Sequence, residues 1–409
     1  MKQGWEIKKL GDCLIKVVDN RGKTPPTKSE FEFSYGLLEI NSISGNDKFP
    51  NYSLIKKFVE KETYDNWFRS GHPQKGDVLV ATVGTIGEVA ILNENRGCIA
   101  QNLIALRSNR EILNPDFLFY YLTNPIIKSK LLTLNISYVQ PSIRVPHLLK
   151  IEIPIPPLPE QRHIVSILDE AFAAIAKAKA NAEQNLKNAK ELFESYLQVV
   201  FEKKGDDWEE KFIREVCDLK SGTTISSNLE RSEGDVLYVK VGDMTLPENE
   251  VGINTSSRFV NSYEIKSNQI IPNGAIIFPK RGGAIATNKK RKIIKPTIVD
   301  LNTMAIIPGN KIDAEYFYHW FQLIDLNSIS NGTSIPQINN YSFDDVKIPF
   351  PKSKSEQQII VRQLDALRAE TLKLEAVYQK KIDDLEELKK SILQKAFAGE
   401  LKTEKALAL

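Results

Sequence analysis

Residues 160–201 and 356–397 align without a gap at an offset of 196, and this repeat constrains the fold more than any other feature of the chain. Both copies open on Glu-Gln (Glu160-Gln161, Glu356-Gln357) and keep Ile164/Ile360, Leu168/Leu364, Asp169/Asp365, Leu197/Leu393 and Phe201/Phe397. Upstream, Pro141-Ser142-Ile143 pairs with Pro336-Gln337-Ile338, and Ile153-Pro154-Ile155-Pro156 with Ile348-Pro349-Phe350-Pro351. Gly76, Gly84 and Asn102 match Gly274, Gly282 and Asn302; Trp5-Glu6 matches Trp208-Glu209, and Gly22-Lys23-Thr24 matches Gly222-Thr223-Thr224. A period near 200 residues means a duplicated domain rather than a solenoid.

Each copy divides into a head and a helix. The heads are short β-branched and aromatic runs broken by Gly, Pro, Asn and Asp, as at 77–82, 89–92, 103–106, 237–241, 276–278 and 304–307. That pattern predicts a largely antiparallel sheet with a few helices, the strongest at 116–122 and 314–324. In the first repeat, apolar or small residues fall at 164, 168, 171, 175, 178, 182, 186, 189, 193, 196 and 200; the second follows suit, with lapses at Thr371 and Lys389. A stutter at 178–182–186 recurs at 374–378–382. One pattern with one irregularity predicts coiled-coil partners, paired through Ile164, Leu168, Ile175 and Phe193 of one helix and Ile360, Leu364, Leu374, Leu385 and Ile392 of the other. A helix of about 63 Å outruns its own head, which favours pairing over two helices that each cover one head.

Prolines 154, 156, 157 and 159, and again 349 and 351, bracket the helix starts. The first helix runs into the second head across 202–207 alone. The expected pairing is therefore antiparallel, with the heads at opposite ends and an approximate two-fold axis across the rod. The expected fold is α+β, with a first head at 1–155, a helical spacer at 156–205, a second head at 206–351 and a second spacer at 352–409.

The 409 residues carry 55 Lys+Arg against 52 Asp+Glu, a formal charge of +3, with 42% apolar residues and a mean hydropathy of −0.29. These values predict a soluble protein of two or three domains. No run approaches the roughly 18–20 apolar residues of a membrane helix, and the N-terminus lacks the apolar core of a signal peptide. Cys13, Cys98 and Cys217 are too few and scattered for a disulfide framework or a zinc ribbon. The expected location is the cytoplasm.

A rigid rod with two similar heads of opposite orientation suits a target with two-fold symmetry and helical spacing, and duplex DNA is such a target. Here the chain resembles the specificity subunit (HsdS) of type I restriction–modification enzymes. The resemblance spans residues 5–401 and rests on the repeated proline-rich strand, Glu-Gln and long helix. It also rests on Asp19-Asn20-Arg21-Gly22-Lys23-Thr24-Pro25-Pro26, on Lys75-Gly76-Asp77-Val78-Leu79-Val80-Ala81-Thr82, and on the closing Leu393-Gln394-Lys395-Ala396-Phe397-Ala398-Gly399-Glu400-Leu401. It implies two target-recognition domains that each read half of a bipartite double-stranded DNA site. It also implies that the helices dock two methyltransferase (modification) subunits, joined by restriction subunits for cleavage. S-adenosylmethionine, ATP and Mg²⁺ are then expected on those partners and none on this chain, which is not itself an enzyme.

Neutral overall charge hides local bias. Residues 280–295 hold seven basic side chains and no acidic one, enough for several phosphate contacts. Expected DNA contacts in the second head are Thr223, Lys280, Arg281, Asn288, Lys289, Lys290, Arg291, Gln337 and Asn339. In the first head they are Asn20, Arg21, Lys23, Thr82, Thr85, Tyr138, Gln140, Ser142 and Arg144. Arg suits guanine or phosphate, and Gln or Asn suits adenine.

Motifs for chemistry fail one by one. Gly22-Lys23-Thr24 resembles the end of a P-loop, but residue 17 is Val where the first glycine belongs, and Pro25-Pro26 stops the required helix. Asn114-Pro115-Asp116-Phe117 lacks the second proline of an adenine-methyltransferase element and reads as a helix start. After Asp116 no acidic residue follows until Glu152, which removes a nuclease carboxylate site. His72, His147, His163 and His319 share no metal motif. The competing readings are a scaffold that binds no DNA and, more remotely, a fused methyltransferase or nuclease.

Overall fold

The computed structural model describes residues 4–30, 34–45, 47–135, 141–332 and 335–401. It divides into two compact units, Met1–Glu183 with Lys380–Leu409, and Gln184–Gln379. Each unit thus contains one head, part of its own long helix and part of the other.

In the first unit, strand Glu6–Lys9 pairs antiparallel with Glu152–Ile155, so the chain start clasps the proline-rich strand ahead of the long helix. An antiparallel sheet runs in the order Leu14–Val18, Leu103–Ser108, Val78–Ala81, Val89–Ile91. A three-stranded sheet places Tyr35–Leu38 between Phe58–Val59 and Cys98–Ile99. The pairing of Tyr35–Leu38 with Cys98–Ile99 is parallel, an exception within the largely antiparallel pattern expected, and the long intervening chain leaves room for its crossover.

Helix Pro115–Thr123 starts where predicted, with the Asn114 side chain accepting from the Phe117 amide and proline in the first turn. It buries Phe117 through Leu122 without a break, since sheet covers one side and long helices the other. Phe397 stands edge-on to Phe117 and Tyr121, with ring centres 5.0 and 5.5 Å away.

The second unit repeats this plan. Trp208–Phe212 pairs with Lys347–Pro351. A five-stranded sheet orders Cys217–Ser221, Thr303–Pro308, Ile276–Pro279, Arg291–Ile293 and Gly252–Ile253. The smaller sheet sets Val236–Val239 between Phe259–Val260 and Thr297–Val299, again with one parallel pair. Asp313 caps helix Ala314–Gln322 through the amides of Glu315 and Tyr316.

The long helices are Leu158–Glu202 and Lys354–Ala398. In the first unit Ile164, Val165 and Leu168 share a core with Leu393 and Ala396, Lys389 lies 5.2 Å over the Phe172 ring, and Lys179 meets Glu386 at 2.6 Å. Numbers rise along one helix as they fall along the other, so the helices run antiparallel. In the second unit Leu197 and Phe201 share a core with Val361 and Leu364, and Arg368 lies 5.2 Å over Phe193.

Ile360 and Ile392 pack against these cores from the edge, and Ile175 is buried. The lapse at Lys389 is no lapse in contact, because its ammonium lies over the Phe172 ring. Leu374 departs from expectation at 40% exposed, and Leu385 is only half-buried. The buried positions in the middle of the two helices are small, Ala182, Ala189 and Thr371, while the bulky Leu374 stays at the flank.

The repeated Glu-Gln pair acquires a physical meaning. Gln161 is fully buried; its Oε1 accepts from the Asn114 amide at 2.8 Å, and its Nε2 donates to the carbonyls of Ile112 and Pro156, each at 2.8 Å. Gln357 does the same with Asp313, Lys311 and Pro351 at 2.7, 3.0 and 2.9 Å. Each glutamine pins the start of a long helix to the cap of the head helix.

Candidate nucleic-acid interface

Three separate segments of the first head converge at one place. Strand Val78–Ala81 ends in Thr82, whose amide donates to the Asn102 carbonyl at 2.9 Å and whose carbonyl accepts from the Ile143 amide at 2.8 Å. Gly84 donates to the Pro141 carbonyl at 2.8 Å; its φ of +81° is a left-handed conformation that favours glycine. Arg21 closes the third side. Its Nη1 donates to Thr82 Oγ1 at 3.0 Å and to the Ile143 carbonyl at 3.2 Å, while Nε and Nη2 fork onto Asp19 at 2.8 and 2.9 Å. Burial pushes the Asp19 carboxyl up, but the Arg21 hydrogen bonds outweigh it and hold the group below its usual range.

The second head builds the same junction from equivalent residues. The Lys280 amide donates to the Asn302 carbonyl at 2.8 Å, Ile338 donates to the Lys280 carbonyl at 2.9 Å, and Gly282 donates to the Pro336 carbonyl at 2.8 Å. The cation has changed sides. Where Arg21 of the turn reaches the Thr82 hydroxyl, Lys280 of the strand end reaches back to Ser221 Oγ at 3.1 Å. The Lys280 ammonium is lowered from its ordinary range by burial and by neighbouring Arg281, against a weaker opposing pull from Asp300.

Around these junctions Lys23, Thr85, Arg144 and Arg281 are exposed, while Ser142, Thr223, Lys280, Lys289 and Gln337 are half-buried. Tyr138 and Gln140 lie outside the described residues. Several expected contacts are structural instead. Asn20, 7% exposed, donates to the carbonyls of Gly71 and Ile99 and accepts from the Ser70 amide. Thr82 is fully buried, and Arg21 is neutralised by Asp19. Asn288 sits at φ +51° and accepts from Lys290 Nζ and the Leu326 amide. Asn339 is half-buried and donates to the Tyr341 hydroxyl at 3.0 Å.

Most of the basic stretch also turns inward. Lys290 is 1% exposed, donates to the Ile324 carbonyl at 2.7 Å and lies 5.4 Å over the Phe321 ring. Arg291 is half-buried and donates to the Lys290 carbonyl, and Lys292 pairs with Glu315 at 2.7 Å. Arg291 and Lys292 line a cleft of about 630 Å³ with Phe193, His319 and Arg368, well along the sheet from Lys280. The reason is register: Arg291 pairs across from Ile277, which places it beside the head helix rather than at the strand end. The residues that sequence reasoning missed are Asp19 and Ser221, the partners that hold the two cations.

Burial lowers the Lys290 ammonium to about 8. Because its folded pKa lies below the unfolded one, the folded state binds fewer protons between about pH 8 and 10.5. The second unit is therefore expected to gain stability as pH rises through that window and to lose it as pH falls. Lys290→Met should flatten this dependence in thermal unfolding from pH 7 to 10.5 and leave duplex binding unchanged; a weaker duplex complex would restore Lys290 as a contact.

The model of the type I restriction modification DNA specificity domain matches this chain twice, at residues 2–187 and 205–386. The chain belongs to that family. The type I restriction enzyme MjaVIII specificity subunit of Methanocaldococcus jannaschii is 24% identical over 425 aligned positions, covering 98% of this chain and 93% of that protein. The EcoR124I/EcoR124II specificity subunit of Escherichia coli is 29% identical over 230, covering 53% and 55%.

Among solved structures, a chain of the type I R-M system, solved for its complex assembly and conformational transition, superposes with a TM-score of 0.78 at 18% identity, covering 98% of this chain and 99% of the other. The HsdS subunit from Thermoanaerobacter tengcongensis gives 0.64 at 19% identity, with 98% of each chain covered. These structures share the fold of this specificity-family chain. Among the described residues no helix is long and apolar enough to cross a membrane, and no cluster of His, Cys, Asp or Glu is arranged to hold a metal ion.

Proposed function

We propose that this chain is the non-catalytic DNA-recognition subunit of a type I restriction–modification enzyme, with each head reading one half of a bipartite duplex site. The observation that carries this reading is one loop junction built twice with different side chains at equivalent positions. Arg21 and Thr82 in one head answer to Ser221 and Lys280 in the other. A shared scaffold fixes where the readers stand, and divergent side chains give the halves different base preferences.

In this reading the long helices set the gap between half-sites and dock two methyltransferase subunits, with restriction subunits added for cleavage. S-adenosylmethionine, ATP and Mg²⁺ belong to those partners. Leu192, Tyr196 and Val199, spaced four and three apart on the first long helix, are 49%, 38% and 38% exposed and form an apolar stripe suited to docking. Leu192→Glu with Tyr196→Glu is expected to lower methyltransferase capture in a pull-down without altering the helical circular dichroism signal.

Methylome sequencing of cells that carry the chain with its methyltransferase partner tests the whole reading. The expected motif has two unlike halves and an unread spacer of fixed length. A continuous motif, or methyl transfer by the isolated chain, would overturn it.

A further inference from the structure

The first head holds a second feature that the loop junction does not use. A cleft of about 480 Å³, in the size range of small-ligand sites, is lined by Tyr35, Tyr52, Phe58, Tyr64, Asn95 and Arg96 among others. All four aromatic rings are half-buried, so each keeps surface toward solvent.

Two of these rings belong to a prebuilt stack. Tyr35 lies on Tyr64 with ring centres 3.9 Å apart and planes 17° from parallel, and Tyr64 lies on His72 at 3.6 Å and 3°. His72 Nε2 is 2.8 Å from the Tyr64 carbonyl, which ties the far end of the stack to its own backbone. In the same cleft the Arg96 guanidinium lies 5.2 Å over the Tyr52 ring. Arg96 is exposed and forms none of the ion pairs found among the described residues, although the Glu30 carboxylate also lines the cleft and Glu94 acts on the same Tyr52 ring.

The fold does not require this platform. Tyr35 pairs with Val59 in the small sheet, and its counterpart by register in the second head is Val236, paired with Val260. Val236 is 1% exposed and packs in a closed cluster with Ile225, Tyr238, Val260 and Ile298. A valine satisfies the same strand position there, so the tyrosine is free to serve another purpose.

Half-exposed aromatic rings beside an exposed guanidinium match one chemistry well: a planar base that stacks, joined to a phosphate that the cation receives. We propose that this cleft of the first head binds a single nucleotide, with the base on the tyrosine platform and the phosphate at Arg96. The site adjoins the loop junction along the chain. Lys28, just past the Arg21 turn, exchanges backbone hydrogen bonds with Phe58 at 2.9 and 3.0 Å, and Gln101 Nε2 donates to Thr24 Oγ1. The nucleotide has two conceivable sources, one swung out of a bound duplex or a free mononucleotide; the first rests on the DNA-recognition reading and the second does not.

Titration calorimetry of the full chain with adenosine 5′-monophosphate and with adenosine tests the site. Tyr35→Val, the residue native to the other head, is expected to weaken both ligands about 5- to 150-fold, the span of one lost base–aromatic stack. Arg96→Ala should weaken the monophosphate and spare adenosine. Duplex affinity of Tyr35→Val then separates the sources: a parallel fall assigns the nucleotide to DNA, and no change assigns it to the free pool. No monophosphate binding at millimolar concentration, or equal binding by all three chains, overturns the proposal. A chain that binds the monophosphate but no duplex would sink the DNA-recognition reading and leave this site standing.

Discussion

Replacing Lys280 and Arg281 together by alanine is expected to erase recognition of one half-site and leave the other intact. Lys280 spends one donor on Ser221 and keeps two, and Arg281 stands exposed beside it. The carboxylate that acts on Lys280, Asp300, already accepts from Asn302 and Thr303. Two cations therefore repel each other at a loop with no carboxylate to spare, and burial adds to the strain on Lys280. A phosphate or a guanine edge relieves both effects.

Each good base contact is worth about 1–3 kcal/mol, so the pair should cost roughly 2–5 kcal/mol, or about 30- to several-thousand-fold in affinity. Phosphate contacts among them would flatten the dependence of log affinity on log salt by roughly one per contact. Salt-series gel shifts and methylome maps read these outcomes separately. A change in both half-sites would contradict two independent heads, and an unchanged map would remove the junction from the interface.

The second large effect falls on stability. Gln161→Leu keeps the volume of a fully buried side chain and deletes all three of its hydrogen bonds. The half-buried Asn114 amide and Ile112 carbonyl and the buried Pro156 carbonyl would then lose their partner, at about 1–3 kcal/mol each. The expected loss is about 4 kcal/mol, on the order of 10 °C in the melting of the first unit. Gln357→Leu should do the same to the second unit through Asp313, Lys311 and Pro351. Hydrogen exchange at the amides of Asn114 and Asp313 locates each loss. A destabilisation within about 0.5 kcal/mol, the size of an ordinary surface change, would show that the clamp matters little.

Both predictions return to features visible in the sequence, but only one could be interpreted there. The Glu-Gln pairs stand out because they repeat at a fixed offset, yet nothing local says that the glutamine is the buried member. Its three partners include residues 47 and 49 positions away, Asn114 and Ile112. The long helices were legible because their information is periodic and local. Even the stutter recurs in step, and only packing showed that Leu374 lies at the flank and that Lys389 covers Phe172.

The candidate contacts divide along a similar line. Residue type and turn chemistry pointed to the three loops of each head, and those loops do converge. Type alone could not distinguish a reading side chain from a bracing one. Arg21 and Lys280 are both basic and sit on opposite sides of the equivalent junctions of the two heads, but Asp19 neutralises the first while the second has only a hydroxyl. In the basic stretch, strand register turns Lys290 into the core and Lys292 onto Glu315, a consequence of which residue pairs with Ile277.

By itself, the sequence determined the duplication, the two long helices, and the alternation of head and helix. These are matters of repetition, period and residue type along a single line. Tertiary structure alone decided which cations remain available, what the repeated glutamines hold, and that Tyr35 stacks on Tyr64 in the first head where the second has Val236. Those depend on contacts between residues far apart in the chain, where burial and a single hydrogen-bond partner decide whether a side chain is free to meet a ligand.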